Sequence, residues 1–210
     1  DVYSAMEVES VCVSDVPTQG QILVRSGKSP KSVAIIHCVG REEKGYCSSV
    51  CCMASLKLSH FLKKKLPQIK ITQFYSDLCI PGKTYQKFYD EVKESGVDFI
   101  RAAVTEVSRP GGELVIKYKT EDGKESTLAA SMVILNPALE PGVDASKLAE
   151  ILSIPQSGDG FFSEKQPDLT SVDTVQEGIF IAGCAQGPKD IAETVAEAEA
   201  TAGRILSLSR

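Results

Sequence analysis

Four cysteines fall within a short stretch of this chain: Cys38, Cys47, Cys51 and Cys52, in the pattern C-x8-C-x3-C-C. The chain has seven cysteines, an odd number gathered in one region, whereas a disulfide framework spreads an even number along a small domain. Clustered thiols in a chain with no secretory signature point to metal binding or redox work. Thiolates are soft ligands, and four of them suit zinc or an iron–sulfur cluster. The adjacent pair Cys51-Cys52 fits poorly around one small ion, whereas in a cubane neighbouring residues can reach different irons. Three other readings stay open on spacing alone. Free cysteines are often small buried hydrophobes, and Cys12 and Cys79, with no cysteine beside them, read that way. A Cys47–Cys51 redox disulfide would leave Cys38 and Cys52 unexplained. A zinc-stabilised interaction domain would use the same thiols with no redox role.

These thiols need elements to hold them. Val33-Ala34-Ile35-Ile36-His37-Cys38-Val39 is a continuous apolar run, the pattern of a parallel strand buried on both faces. A polar loop from Arg41 to Tyr46 and a helix from about Ser48 to Leu66 follow. Lys63, Lys64 and Lys65 crowd the helix end, and Pro67 stops it. Ile69 to Tyr75 alternates like a strand, completing one βαβ unit whose first turn carries the cysteines. Downstream, the pattern predicts a helix over Thr84 to Ser95, a strand over Val97 to Val107, and a hairpin with strands at Leu114 to Tyr118 and Ser126 to Leu128. Further elements are a strand at Met132 to Leu135, a helix at Ala145 to Leu152, a strand at Gly178 to Gly183 and a helix from about Asp190 to Ser207. The class is α/β, with a three-layer, Rossmann-like nucleotide-type domain over residues 30–140, an entry segment at 1–29 and a C-terminal portion at 141–210.

The dinucleotide fingerprint G-x-G-x-x-G is missing from the turn after the first strand, where only Gly40 follows and cysteines occupy the loop. That weighs against a pyridine-nucleotide-disulfide oxidoreductase working through a Cys47-x3-Cys51 pair. Gly27-Lys28-Ser29 does not make a P-loop: Ile22 stands where a glycine is needed, and Pro30 would obstruct the helix. The stretch reads as a turn.

The chain carries 23 basic and 28 acidic residues, a formal net charge of −5, so neither nucleic acid nor an anionic membrane is the expected partner. Hydrophobic residues make up 42%, enough for a packed core, yet no run is long enough to span a bilayer. The expected compartment is the cytoplasm. With no initiator Met, the chain is expected to be a piece of something longer.

Two separated motifs carry a resemblance. Cys38-Val39-Gly40 followed by Tyr46-Cys47-Ser48-Ser49-Val50-Cys51-Cys52-Met53, and Gly178-Ile179-Phe180-Ile181-Ala182-Gly183-Cys184-Ala185-Gln186-Gly187-Pro188-Lys189-Asp190-Ile191, stand in order with Phe161-Phe162-Ser163-Glu164 and Val172-Asp173-Thr174 between them. Together they resemble the heterodisulfide reductase A-subunit family of iron–sulfur flavoproteins across essentially the whole chain. The resemblance implies a thioredoxin-reductase-like fold, with residues 141–210 the C-terminal part of an FAD domain whose diphosphate-binding half lies elsewhere. It implies electron transfer as a subunit or fragment of an oxidoreductase, with other iron–sulfur and flavin subunits as partners and a homodimer of the full-length protein as one arrangement. It maps a [4Fe–4S] ligand set onto Cys38, Cys47, Cys51 and Cys52, and FAD contacts onto Gly183, Cys184, Gln186, Lys189, Asp190 and Ile191. Cys184 stands where related flavoproteins place an Asp on the ribityl chain. Lys57, the first lysine on the helix after the cysteines, is a candidate flavin neighbour. Asp190 with Glu193 also forms a D-x-x-E helix cap.

Overall fold

The apolar run from Val33 to Ile36 is buried on both sides, as an interior parallel strand requires. The computed structural model describes residues 1–13, 21–167 and 169–208. Their elements run β1 (Val2–Ser4), α1 (Ala5–Val13), β2 (Ser32–Val39), α2 (Arg41–Lys44), α3 (Cys51–Lys65), β3 (Lys70–Tyr75), α4 (Tyr85–Glu94), β4 (Val97–Ser108), β5 (Leu114–Thr120), β6 (Glu125–Ala130), β7 (Met132–Pro137), α5 (Ala145–Leu152) and α6 (Ile191–Leu208). The chain divides into two compact units, Asp1–Glu42 with Cys51–Pro137, and Glu43–Val50 with Ala138–Arg210.

The first unit is built on a seven-stranded sheet in the order β1-β7-β2-β3-β4-β5-β6. Its β1, β7, β2, β3 and β4 pair in parallel, and β4, β5 and β6 continue as an antiparallel meander. Alternation along β2 and β3 splits the core in two. Val33, Ile35 and Ile71 face α1, α3 and α4, meeting Val8, Leu56, Leu58, Leu62 and Val92. Ala34, Ile36 and Phe74 face the other way, against Ala102, Leu114, Ile116 and Ala130 of the meander. The sheet therefore curls over itself. The layers are helix, parallel sheet and antiparallel sheet, because the twelve-residue β4 outruns its parallel partner and shifts register near Thr105 to begin the second surface.

The structure departs from the sequence reading in four places. The entry segment holds an edge strand and a helix: Ser4 caps α1, its Oγ accepting from Glu7 N–H at 3.3 Å while its own N–H donates to Glu7 Oε2 at 2.6 Å, and Val8 and Cys12 join the core. Residues 14–20 of that segment lie outside the described ones. The loop after β2 contains α2. Helix α3 starts at Cys51, three residues later than expected, because Ser49 adopts φ = +59°. The expected strand over Gly178 to Gly183 does not form. Among the described residues a single bridge joins Phe180 to Asp173, and positive φ at Gly178 and Gly183 bends both ends.

In the second unit, Ala149, Ile154, Phe162 and Ile181 make a small core. The segment Glu43–Val50 is tied into it: Tyr46 Oη donates to Leu139 O at 2.5 Å, Leu139 N–H donates to Ser48 Oγ at 2.9 Å, and Lys44 pairs with Glu140 at 2.5 Å. The Tyr46 ring stands edge-on to Phe161, centroids 5.9 Å apart.

Candidate functional site

Cys38 closes β2, and Cys51 and Cys52 open α3. All three belong to the first unit, and Cys47 belongs to the segment Glu43–Val50 of the second. None of the four is held in a disulfide. Cys38 is held at φ = +58° without being a glycine, and with Ser49 it places two of the three such residues described in the cysteine segment. Strain of this kind persists where the surroundings over-determine the backbone, and it collects at functional sites.

The sulfurs receive hydrogen-bond donors. Ser49 N–H donates to Cys47 Sγ at 3.4 Å, Cys79 N–H donates to Cys52 Sγ at 3.4 Å, and Arg41 Nη1 approaches Cys38 Sγ to 4.0 Å. The Cys52 thiol donates to Asp77 O at 3.9 Å. Its hydrogen bond with Cys51, and then burial, push the Cys52 thiol up to about 12, against the opposing pull of His37 and the Cys79 N–H. Ligation would require this proton to leave.

A buried polar chain backs the site. His37 and Gln73 sit on neighbouring strands and face α3, where Cys52, Ser55 and Ser59 share one stripe. Gln73 Nε2 donates to Ser59 Oγ at 2.8 Å and lies 3.5 Å from Ser55 O. A carbonyl only accepts, so this nitrogen faces α3 and Gln73 Oε1 is left to accept from His37 Nε2 at 2.8 Å. In the neutral form the imidazole carries its proton on Nε2, and Nδ1 is buried with no hydrogen-bond partner among the described residues.

The donor chemistry of the segment suits an iron–sulfur cluster: thiols outside any disulfide, amide N–H groups aimed at sulfur, and a cation beside Cys38. Among the described residues, no three His, Cys, Asp or Glu side chains gather as ligands of one metal ion. Cys12 lies in the hydrophobic core, where burial pushes its thiol up. Cys79 is half-buried and meets Cys52 through its backbone. His37, Gln73 and Asp77 escape the sequence reading; the available signal is a polar residue at the same face in each of two adjacent buried strands.

The candidate flavin residues gather in one turn of the second unit. Gly183 opens a 3-10 turn (Gly183–Ala185) at φ = +64°, and its N–H donates to Glu197 Oε2 at 2.6 Å. Lys189 Nζ pairs with Glu197 Oε1 at 3.0 Å and donates to Gln186 Oε1 at 2.9 Å, while Gln186 Nε2 donates to Ser171 O. Asp190 and Glu193 form the reciprocal cap, each backbone N–H donating to the other's carboxylate at 2.8 Å. Of the six residues, Cys184 and Ile191 are the ones with exposed side chains. Backbone N–H groups at the start of α6 and these two side chains are what the turn can present to an anionic flavin edge. Lys57 lies in the first unit, paired with Glu9 of α1.

No protein-family model matches the chain. The fold is similar to that of thioredoxin reductases. The T. acidophilum thioredoxin reductase aligns with TM-score 0.55 at 18% identity, over 80% of this chain and 49% of its own. The Lactococcus lactis enzyme aligns with TM-score 0.53 at 16% identity, over 79% and 48%. Closer sequence similarity is found elsewhere. The A-subunit of the ferredoxin/F(420)H(2)-dependent CoB-CoM heterodisulfide reductase of Methanosarcina acetivorans is 38% identical over 99% of this chain and 27% of its own length. The A-subunit of the H(2):CoB-CoM heterodisulfide,ferredoxin reductase of Methanothermobacter marburgensis is 39% identical over 97% and 32%. An A-subunit-like heterodisulfide reductase protein of Archaeoglobus profundus is 36% identical over 99% and 33%. The chain spans about a third or less of the length of these curated relatives. On identity sustained along almost its whole length, the chain is a homologue of one segment of the heterodisulfide reductase A-subunit.

Proposed function

We propose that this chain is the electron-relay portion of an iron–sulfur flavoprotein oxidoreductase of the heterodisulfide reductase A type. Cys38, Cys47, Cys51 and Cys52 would hold a [4Fe–4S] cluster, and the turn from Gly183 to Ile191 would lie against FAD shared with another part of the protein. The cluster would supply one-electron transfer between the flavin and partner iron–sulfur subunits in the cytoplasm. The observation that carries this reading is the donor set on sulfur: N–H groups of Ser49 and Cys79 and the guanidinium of Arg41 each approach one of the cysteines. Such donors stabilise negative sulfur and cost no reorganisation when charge arrives. In the flavin turn, Glu197 holds Gly183 and Lys189 together, and the Asp190–Glu193 cap orients α6. The cluster would be carried chiefly by residues 30–140 and the flavin contacts by 141–210. Lys57, which pairs with Glu9, would be a flavin neighbour in the same reading. No helix among the described residues is long and apolar enough to cross a membrane.

Anaerobic reconstitution tests the ligand assignment. The wild-type chain should take up about four irons, as four thiolates on a cubane require. Cys51→Ala and Cys52→Ala should lose the cluster, and Cys12→Ala should keep it. Full iron in Cys52→Ala would overturn the assignment. A colourless protein holding one zinc would favour the zinc-stabilised interaction domain instead.

A further inference from the structure

Asp77, in the loop after β3, touches the surroundings of two candidate ligands at once. Its Oδ2 lies 3.1 Å from Arg41 Nη1, and the same Arg41 nitrogen lies 4.0 Å from Cys38 Sγ. Its backbone carbonyl accepts from the Cys52 thiol at 3.9 Å, and two residues on, Cys79 N–H donates to Cys52 Sγ at 3.4 Å. From the far side, Arg101 Nη2 holds Asp77 Oδ1 at 3.2 Å. Arg101 is itself fixed: Tyr75 and Arg101 are partners in the β3–β4 register, Arg101 Nε donates to Ser76 O at 2.9 Å, and Arg101 Nη1 meets Glu121 at 3.1 Å. The order of restraint runs from Glu121 through Arg101 and Asp77 to Arg41, and ends at Cys38.

We propose that Arg41 sets the reduction potential of a cluster ligated through Cys38, and that Asp77 is the positioning residue that keeps Arg41 there. The proposal rests on the reading of Cys38 and Cys52 as cluster ligands. One-electron reduction adds a negative charge, and a fixed cation beside a ligand sulfur favours that state. Arg41 is long and one-third exposed, and the more conformations its head samples, the more its field at Cys38 is screened. The carboxylate of Asp77, at 3.1 Å, narrows that sampling. An arginine suits this place because its several N–H donors can meet a carboxylate and a sulfur together.

The test is an EPR-monitored redox titration of the reconstituted full chain with Arg41→Gln, Arg41→Lys, Asp77→Asn and the double variant Arg41→Gln/Asp77→Asn. Arg41→Gln should make reduction about tenfold less favourable, ~59 mV more negative for a one-electron couple. Arg41→Lys, which keeps the charge, should recover most of the shift. In the Asp77→Asn background, Arg41→Gln should change the equilibrium by less than about threefold, because the cation is already less well held near Cys38; coupled residues are non-additive in this way. Both residues lie at the surface, and circular dichroism checks that each variant is folded. An Arg41→Gln protein with full iron and the wild-type potential would refute the role of Arg41. An equal Arg41→Gln shift in both backgrounds would refute the role of Asp77. A wild-type chain that takes up no four-iron cluster would instead bring down the reading of the thiols on which the proposal stands.

Discussion

Cys38 carries a side chain in a left-handed conformation at φ = +58°. Such a backbone costs an L-residue roughly 1–2 kcal/mol and costs glycine almost nothing sterically. The metal-free Cys38→Gly chain should therefore equal or exceed the wild type in stability, the gain capped near about 1 kcal/mol by the greater entropy of an unfolded glycine. Cys38→Val, β-branched and poorly suited to that conformation, should lose about 1 kcal/mol or more. Urea midpoints compare the three chains, and a Cys38→Gly protein markedly less stable than wild type would show that the strain is not there. At this scale the cysteines are legible in the sequence because thiols are few and their spacing is distinctive. Asp77, Gln73 and His37 are not. Asp77 stands far from Arg41 in the chain and meets it only through the β2–β3 pairing and the loop that follows, and nothing local distinguishes it from any other surface acid.

At the scale of elements, most strands and helices follow from periodicity, and the misses share a cause. The βαβ unit, the meander and α4 and α5 lie within a few residues of where the pattern puts them, since apolar positions there alternate or recur every third and fourth residue. The stretch Gly178–Gly183 has the composition of a buried strand, but strand formation needs a neighbour, and pairing is not written in one segment. The same limit hides what the third layer is made of, since that depends on β4 bending across the sheet. Gly183 tests the turn that takes the place of that strand. A Cβ there would stand 3.0 Å from Thr194 Cγ2, on a backbone at φ = +64°. Gly183→Ala should destabilise the chain by about 2 kcal/mol, from the backbone cost of roughly 1–2 kcal/mol and the added contact. Gly183→Ala with Thr194→Ala should recover the steric share alone, and thermal melts of the single and double variants separate the two.

As a whole molecule, this chain offers a flavin little to hold by itself. The turn proposed to face flavin spends Gln186, Lys189 and Asp190 on internal contacts, and the sequence holds no G-x-G-x-x-G cradle for a diphosphate. Three missing charge-assisted hydrogen bonds, at roughly 1.5–3 kcal/mol each, weaken affinity by more than about a thousandfold at about 1.4 kcal/mol per decade. The 210-residue chain should therefore leave gel filtration without the yellow absorbance of flavin after incubation with excess FAD, and a stoichiometric yellow complex would contradict this. The path of the backbone through its two units has a further consequence, for biosynthesis. Because Glu43–Val50 is counted with Ala138–Arg210 while the residues on either side of it belong to the first unit, neither unit is a single continuous stretch. A ribosome releases the sheet of the first unit, through Pro137, before Leu139, Glu140 and Phe161 emerge to receive Lys44, Tyr46 and Ser48. The segment bearing Cys47 thus waits on residues made some ninety or more positions after it, and, on the ligand set proposed above, iron delivered earlier would meet Cys38, Cys51 and Cys52 with the fourth thiol not yet anchored.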